Sequence, residues 1–197
     1  MIMKKRSINP QQKVDLVVHA ARKLFVEKGF HGVSIPEIVK ASGVSVGAIY
    51  LHFGSKDQLA ATIYQLTLEE FLKMLTDRLS GRATIREQLR AFAELCFDIT
   101  EEKPEMMKYM LTVRQCPHPD CASPLCSSKP FLEFQRIVSE GVDSGEVKPG
   151  DAFLAAVSYT GVILRAVDLR MQGVIQQPLT DIDEALIENA WSSIKPA

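Results

Sequence analysis

The chain has 197 residues, 46% of them hydrophobic, and a formal net charge of −1, which is enough length and apolar content for a substantial core and two lobes. No repeat, low-complexity tract, signal peptide or targeting sequence is present, and no alternating strand pattern with hairpin turns competes with the helix signals. Charge is unevenly placed: residues 1–60 hold nine Lys/Arg against four Asp/Glu, and the remainder hold fourteen against twenty. A basic head on an acidic body suits a protein of which one end meets a polyanion.

In chain order, Lys4-Lys5-Arg6 forms a short basic arm ahead of Pro10. It follows a nucleic-acid backbone, enters a minor groove, or serves as a solubilising tail. A first helix is predicted over Gln11–Lys28, with Val14, Val17, Val18, Ala21, Leu24 and Phe25 on one face. A second begins at Ser34, three residues before Glu37 in capping-box spacing, with Pro36 in its first turn and Ile35, Ile38 and Val39 on one side. Ser42-Gly43 ends it, since glycine takes the left-handed conformation readily. Ser45 caps a third helix in which Ile49 and Phe53, at i and i+4, point inward. This is either a helix-turn-helix, the arrangement that lays its second helix in the DNA major groove, or a small helical hairpin in an ordinary α-helical core.

With Ile49 and Phe53 inside, helical periodicity turns Gly47, Tyr50 and Leu51 outward and leaves Val46 and Ala48 at the sides. Leu51 beside Tyr50 suits thymine methyls and sugar edges, and Gly47 allows backbone to come close to a phosphate. Ser55 and Gln58 form a second capping box, which puts Lys56 at a helix N-terminus. His52 either touches phosphate or is an ordinary exposed histidine.

Phe25 to Leu59, FVEKGFHGVSIPEIVKASGVSVGAIYLHFGSKDQL, resembles the DNA-binding domain of TetR-family transcriptional repressors. The resemblance rests on Phe25, Gly29-Phe30, Ser34-Ile35, Ile38, Ala41-Ser42-Gly43-Val44, Gly47-Ala48-Ile49-Tyr50, His52-Phe53 and Ser55-Lys56, and it is confined to about the first 60 residues. It implies that Ser34, Val46, Gly47, Ala48, Tyr50, Leu51, His52 and Lys56 lie at or near DNA. Val46 and Ala48 stand where many members of that family carry polar or basic side chains, and Pro36 replaces a position that is sometimes polar. Phosphate contacts therefore transfer better than base contacts.

Beyond the head, a helix is predicted from Lys56 to about Leu79, ending at Gly81; its 24 residues would span about 36 Å. Five more follow: Thr84–Thr100, Pro104 to about Arg114, Pro130–Ser144, Asp151–Gly173 and Thr180–Ile194, with turns at residues 145–150 and 173–178. The fold class is thus all-α, an N-terminal three-helix helix-turn-helix domain (residues 1–55) on a C-terminal helical effector-binding and dimerisation domain (residues 56–197). The apolar segment Ala152–Leu164 is too short to span a bilayer and is followed by Arg165, Asp168 and Arg170, so no membrane association and a soluble, cytoplasmic protein are expected.

The helix Asp151–Gly173 is apolar almost all round, with Ala155, Ala156, Ser158 and Gly161 permitting close approach; Ile187, Ala190, Trp191 and Ile194 form a stripe on the last helix. These two helices either fill the core of one chain or join a symmetry mate in a four-helix bundle. The TetR resemblance implies the second, a homodimer on a palindromic double-stranded operator with recognition helices roughly 34–36 Å apart or a multiple of that. It also implies a small-molecule effector in the body. Phe71, Phe92, Cys96, Phe97, Met106, Met107, Met110, Phe131 and Phe134 supply an apolar lining or simple core packing. Tyr159 and Arg165 either orient a polar ligand group or serve a dimer interface.

In the loop CPHPDCASPLC, Cys116, His118, Cys121 and Cys126 offer ligands for a soft metal or a redox-sensitive disulfide, although reduced loop cysteines without a role are the default for a cytoplasmic protein. The alternative function is therefore a thiol- or metal-responsive repressor. A cysteine-dependent enzyme is a remote third, because no oxyanion site, nucleotide loop or carboxylate pair accompanies the thiols. No cofactor is expected.

Overall fold

The computed structural model describes residues 9–112 and 127–196. All regular structure among them is helical: α1 (Pro10–Lys28), α2 (Ile35–Ser42), α3 (Val46–Phe53), α4 (Lys56–Leu79), α5 (Ile85–Glu102), α6 (Pro104–Thr112), α7 (Lys129–Ser144), α8 (Ala152–Met171), a 3-10 turn (Leu179–Asp181) and α9 (Asp183–Ser192). The fold is all-α, with a helix-turn-helix at its N-terminal end. The chain gathers into two compact units, and the change falls within α4, between Leu66 and Thr67.

In the first unit α1 packs on α2, and α2 on α3. Asn9 caps α1 through its side-chain oxygen, which accepts from Gln11 N–H (3.2 Å), while Gln12 accepts from Asn9 N–H (3.3 Å). Val17, Val18, Ala21 and Phe25 are buried along α1, as the periodicity requires; Val14 and Leu24 are half-buried. Ile35, Ile38, Val44, Ile49 and Phe53 are each under 10% exposed as well, so the packing of α1 on α2 and of α2 on α3 encloses a small core. Gly43, at φ +70°, makes the turn between α2 and α3 that a residue with a Cβ would resist.

In the second unit α5 is the central helix, contacted by α7, α8 and α9. Its start is fixed by a full capping box: Thr84 Oγ1 accepts from Glu87 N–H (3.2 Å), and Glu87 accepts from Thr84 N–H (3.1 Å) and Ala83 N–H (2.9 Å). α7 comes close to that start at Gly141, where a Cβ would sit 2.8 Å from an Ile85 methyl and 2.6 Å from one of Val147. At the other end of α5, Glu101 receives Arg170 Nε and Nη2 (both 2.9 Å) and Leu179 N–H (2.9 Å), while Arg170 Nη1 donates to Gln176 O (2.8 Å). One ion pair thus ties α5, the end of α8 and the connection to α9 together.

Two expectations about the body change. The predicted Thr180–Ile194 helix divides into the 3-10 turn and α9, because Ile182 adopts φ −127° and breaks the helix between them. The apolar segment ending at Leu164 is part of a 20-residue helix, α8, which by length and composition alone is long enough to cross a bilayer. Ala155, Ala156, Tyr159, Thr160, Ile163, Ala166 and Val167 form its buried side and pack it into the bundle.

Candidate nucleic-acid interface

α3 is two helical turns long, too short to hold its shape without anchors. Ile49 (1% exposed) and Phe53 (7%) supply them from beneath, Ser45 Oγ accepts from Ala48 N–H at one end, and Gly54 closes the other at φ +73°. The opposite side then faces solvent: Val46 is 49% exposed, Tyr50 50% and Leu51 84%, with Gly47 and His52 also exposed and Ala48 half-buried. A Cβ built on Gly47 would meet nothing within 4 Å.

Ser34 is exposed at the start of α2, where its N–H (2.9 Å) and Oγ (2.8 Å) both donate to Glu37. The same carboxylate receives Lys28 Nζ at 2.6 Å, joining α1 to α2. The Lys28 ammonium, followed by the Ser34 N–H and hydroxyl, holds the Glu37 carboxyl down at about 2.

Lys56 opens α4 as expected, but its ammonium turns back into the head. Nζ donates to Phe30 O and Val33 O, both at 3.0 Å, and lies 4.2 Å from the centroid of the Phe30 ring. It clamps the α1–α2 connection to the start of α4, a role that local spacing does not reveal. Ser55 caps α4 by accepting from Gln58 N–H (3.1 Å); its own N–H goes to Phe53 O (2.8 Å), so the second capping box is half formed. An open groove of about 320 Å³ also lies along α1, lined by Leu16, His19, Ala20, Lys23, Leu24 and Glu27 with Ala41 and Ser42 of α2; nothing in the sequence pattern marks it.

In the second unit, the predicted effector residues Phe71, Phe92, Cys96, Met107, Met110, Phe131, Phe134 and Tyr159 are all buried. Rings run in sequence from Phe71 to Phe92 (6.1 Å), Phe134 (4.3 Å) and then both Tyr159 (5.6 Å) and Phe131 (6.4 Å). Tyr159 donates its hydroxyl to Leu89 O at 3.0 Å, and burial pushes its ionisation up; burial does the same to the Cys96 thiol. Arg165 does not join this set. It lies on the exposed side of α8, 64% exposed and paired with Asp168, because six residues of helix rotate it away from Tyr159. Ile187, Ala190, Trp191 and Ile194 are likewise buried within the single chain, so that stripe belongs to the core of this unit. The predicted metal or redox loop of Cys116, His118, Cys121 and Cys126 lies outside the described residues, as does the Lys4-Lys5-Arg6 arm.

The sequence profile described as "Bacterial regulatory proteins, tetR family" matches residues 17–63, from the middle of α1 into α4. The fatty acid metabolism regulator protein of Bacillus subtilis (strain 168) is 24% identical over 188 residues, covering 90% of this chain and 93% of the relative. Among solved structures, a TetR family transcription regulator from Marinobacter aquaeolei VT8 superposes with a TM-score of 0.81 at 23% identity, covering 95% of this chain and 97% of that one. The transcriptional regulator FadR from Bacillus subtilis, in complex with stearoyl-CoA, gives 0.78 at 22% identity, covering 91% and 98%. The profile falls on the helices that build the outward-facing α3, and the likeness in fold extends through the body: residues 17–63 are a tetR-family DNA-binding domain, and the findings together support a DNA-binding regulator.

Proposed function

We propose that this protein is a homodimeric, cytoplasmic repressor that binds a palindromic operator and is released by a small apolar or amphipathic effector. The observation that carries the DNA-binding part is α3 itself, a capped two-turn helix that faces solvent with Val46, Tyr50 and Leu51. In this reading residues 1–55 read DNA, and residues 56–197 bind the effector and dimerise. Ser34, Val46, Gly47, Ala48, Tyr50, Leu51 and His52 lie at the duplex. Lys56 joins them: an ammonium has three N–H donors, and the two given to Phe30 and Val33 leave one for a phosphate.

The effector site is assigned to the aromatic cluster around Phe92 and Phe134, in the unit that also buries Cys96, Met107 and Met110. Its apolar character fits the acyl chain of a long-chain acyl thioester, the kind of ligand with which the Bacillus subtilis FadR structure was solved. Dimerisation is assigned to the exposed side of α8, where Leu154 (62% exposed) and Val157 (43%) accompany Gly161, at which a Cβ would meet nothing within 4 Å. A glycine inside a helix costs stability, and here no neighbour in its own chain requires it.

The test is binding of the purified protein to the DNA upstream of its own gene. Expected is salt-sensitive, saturable binding that stearoyl-CoA reverses by at least about tenfold, a coupling within the usual 1–3 kcal/mol range. Failure to bind at low salt would refute DNA recognition; binding indifferent to stearoyl-CoA would refute the effector class. Gly161→Leu should shift the dimer to monomer in sedimentation, and an unchanged dimer would move the interface elsewhere.

A further inference from the structure

We infer that α3 reads its operator chiefly through the 5-methyl groups of thymine, with Leu51 as the principal reader. The inference rests on the proposed DNA recognition and adds what the helix recognises. Base pairs are distinguished in the major groove by hydrogen-bonding edges and by the thymine methyl. Guanine is read by the forked or cationic donors of Arg and Lys, adenine by Asn or Gln, and cytosine by Asp or Glu. The eight residues of α3, VGAIYLHF, contain none of these. Of their side chains only Tyr50 and His52 carry a polar atom, and the nearby Ser45, whose hydroxyl oxygen accepts from Ala48 N–H, adds a single O–H donor.

What α3 offers instead is apolar surface at the positions that reach furthest. Leu51 is 84% exposed and Val46 49%, on a unit whose first 60 residues carry a positive balance suited to a polyanion. An isobutyl group so exposed contributes nothing to the core of its own domain. Among the base edges of a major groove the one methyl group it meets is that at C5 of thymine, and sugar edges carry no sequence information. Leu51 and Val46 are thereby specificity-determining, and lysines of the head supply affinity without sequence information.

The experiment starts from randomised duplexes selected on the full-length protein. The enriched duplex is resynthesised with 2′-deoxyuridine in place of thymidine, one half-site position at a time. Deoxyuridine pairs identically and lacks only the methyl. Loss of one buried methyl predicts about fourfold weaker binding at each position that is read, and no change elsewhere. Replacing a read thymine·adenine pair by 5-methylcytosine·guanine should retain more affinity than cytosine·guanine does.

Leu51→Ala should weaken binding to the thymine duplex and abolish the penalty for deoxyuridine. Its exposure means that the domain folds regardless, which thermal unfolding checks. Specific binding that is indifferent to every deoxyuridine substitution would overturn the inference and leave DNA recognition intact. Failure to enrich any duplex would overturn both.

Discussion

Replacing Gly47 with alanine separates what the fold requires from what the operator requires. Gly47 is the second residue of α3, its φ is not positive, and an added Cβ would meet no atom within 4 Å. Alanine is therefore compatible with the native backbone and favours the helix by about 0.5–1 kcal/mol. For a chain of this size the thermal midpoint should rise by roughly 1–4 °C. Against DNA the same methyl has the opposite effect. If α3 brings its backbone close to the duplex at this residue, the Cβ is forced into a filled contact, which costs about 1–3 kcal/mol. That is about a 5- to 150-fold rise in Kd. Circular dichroism melting and fluorescence anisotropy on the labelled upstream duplex, at one fixed salt concentration, give the two numbers. A stabilised variant that binds DNA as tightly as the parent would refute the reasoning, since the glycine would then serve neither the fold nor the complex.

Lys56→Met removes a charged donor from Phe30 O and Val33 O and should cost about 2 kcal/mol, lowering the melting midpoint by roughly 4–8 °C; an unchanged midpoint would show that the clamp is not a stabilising contact. Glu101→Gln should cost about 1–3 kcal/mol at neutral pH in urea unfolding, because Arg170 and Leu179 N–H lose a charged acceptor. Arg170 depresses the Glu101 carboxyl, so the wild-type advantage is complete above the ordinary carboxylate value of about 4.3 and shrinks as pH falls below it; a gap between the two proteins that holds constant into acid would contradict this. Cys96, fully enclosed and with its thiol pushed up by burial, should resist iodoacetamide in the native protein and react once urea is added; mass spectrometry showing native labelling at Cys96 would place it elsewhere.

The head was largely legible because its rules are local. Ser34 with Glu37, Gly43 at the turn, Ser45 before α3, and the Ile49–Phe53 pair each act within four residues, and each is found where the pattern puts it. What spacing could not convey was the destination of long side chains. Lys56 reaches carbonyls 23 and 26 residues away, and Arg170 reaches Glu101 across 69. An apolar stripe tells that a face is covered but not by what, which is why Ile187, Ala190, Trp191 and Ile194 admitted two readings until they were found buried within their own chain. Arg165 and Tyr159 share a helix yet lie on different sides of it, a separation that the angular spacing of 100° per residue already contains.

The division of labour along α3 has an evolutionary corollary. The side chains that hold the helix in place, Ile49 and Phe53, alternate with those that project from it, so the two sets are free to change independently. Substitutions at Val46, Tyr50 and Leu51 alter neither the caps nor the anchors, so if α3 reads DNA as proposed, a lineage can drift toward a new target site through folded intermediates. On that reading these three positions are the natural place to begin when redirecting the protein to a chosen promoter.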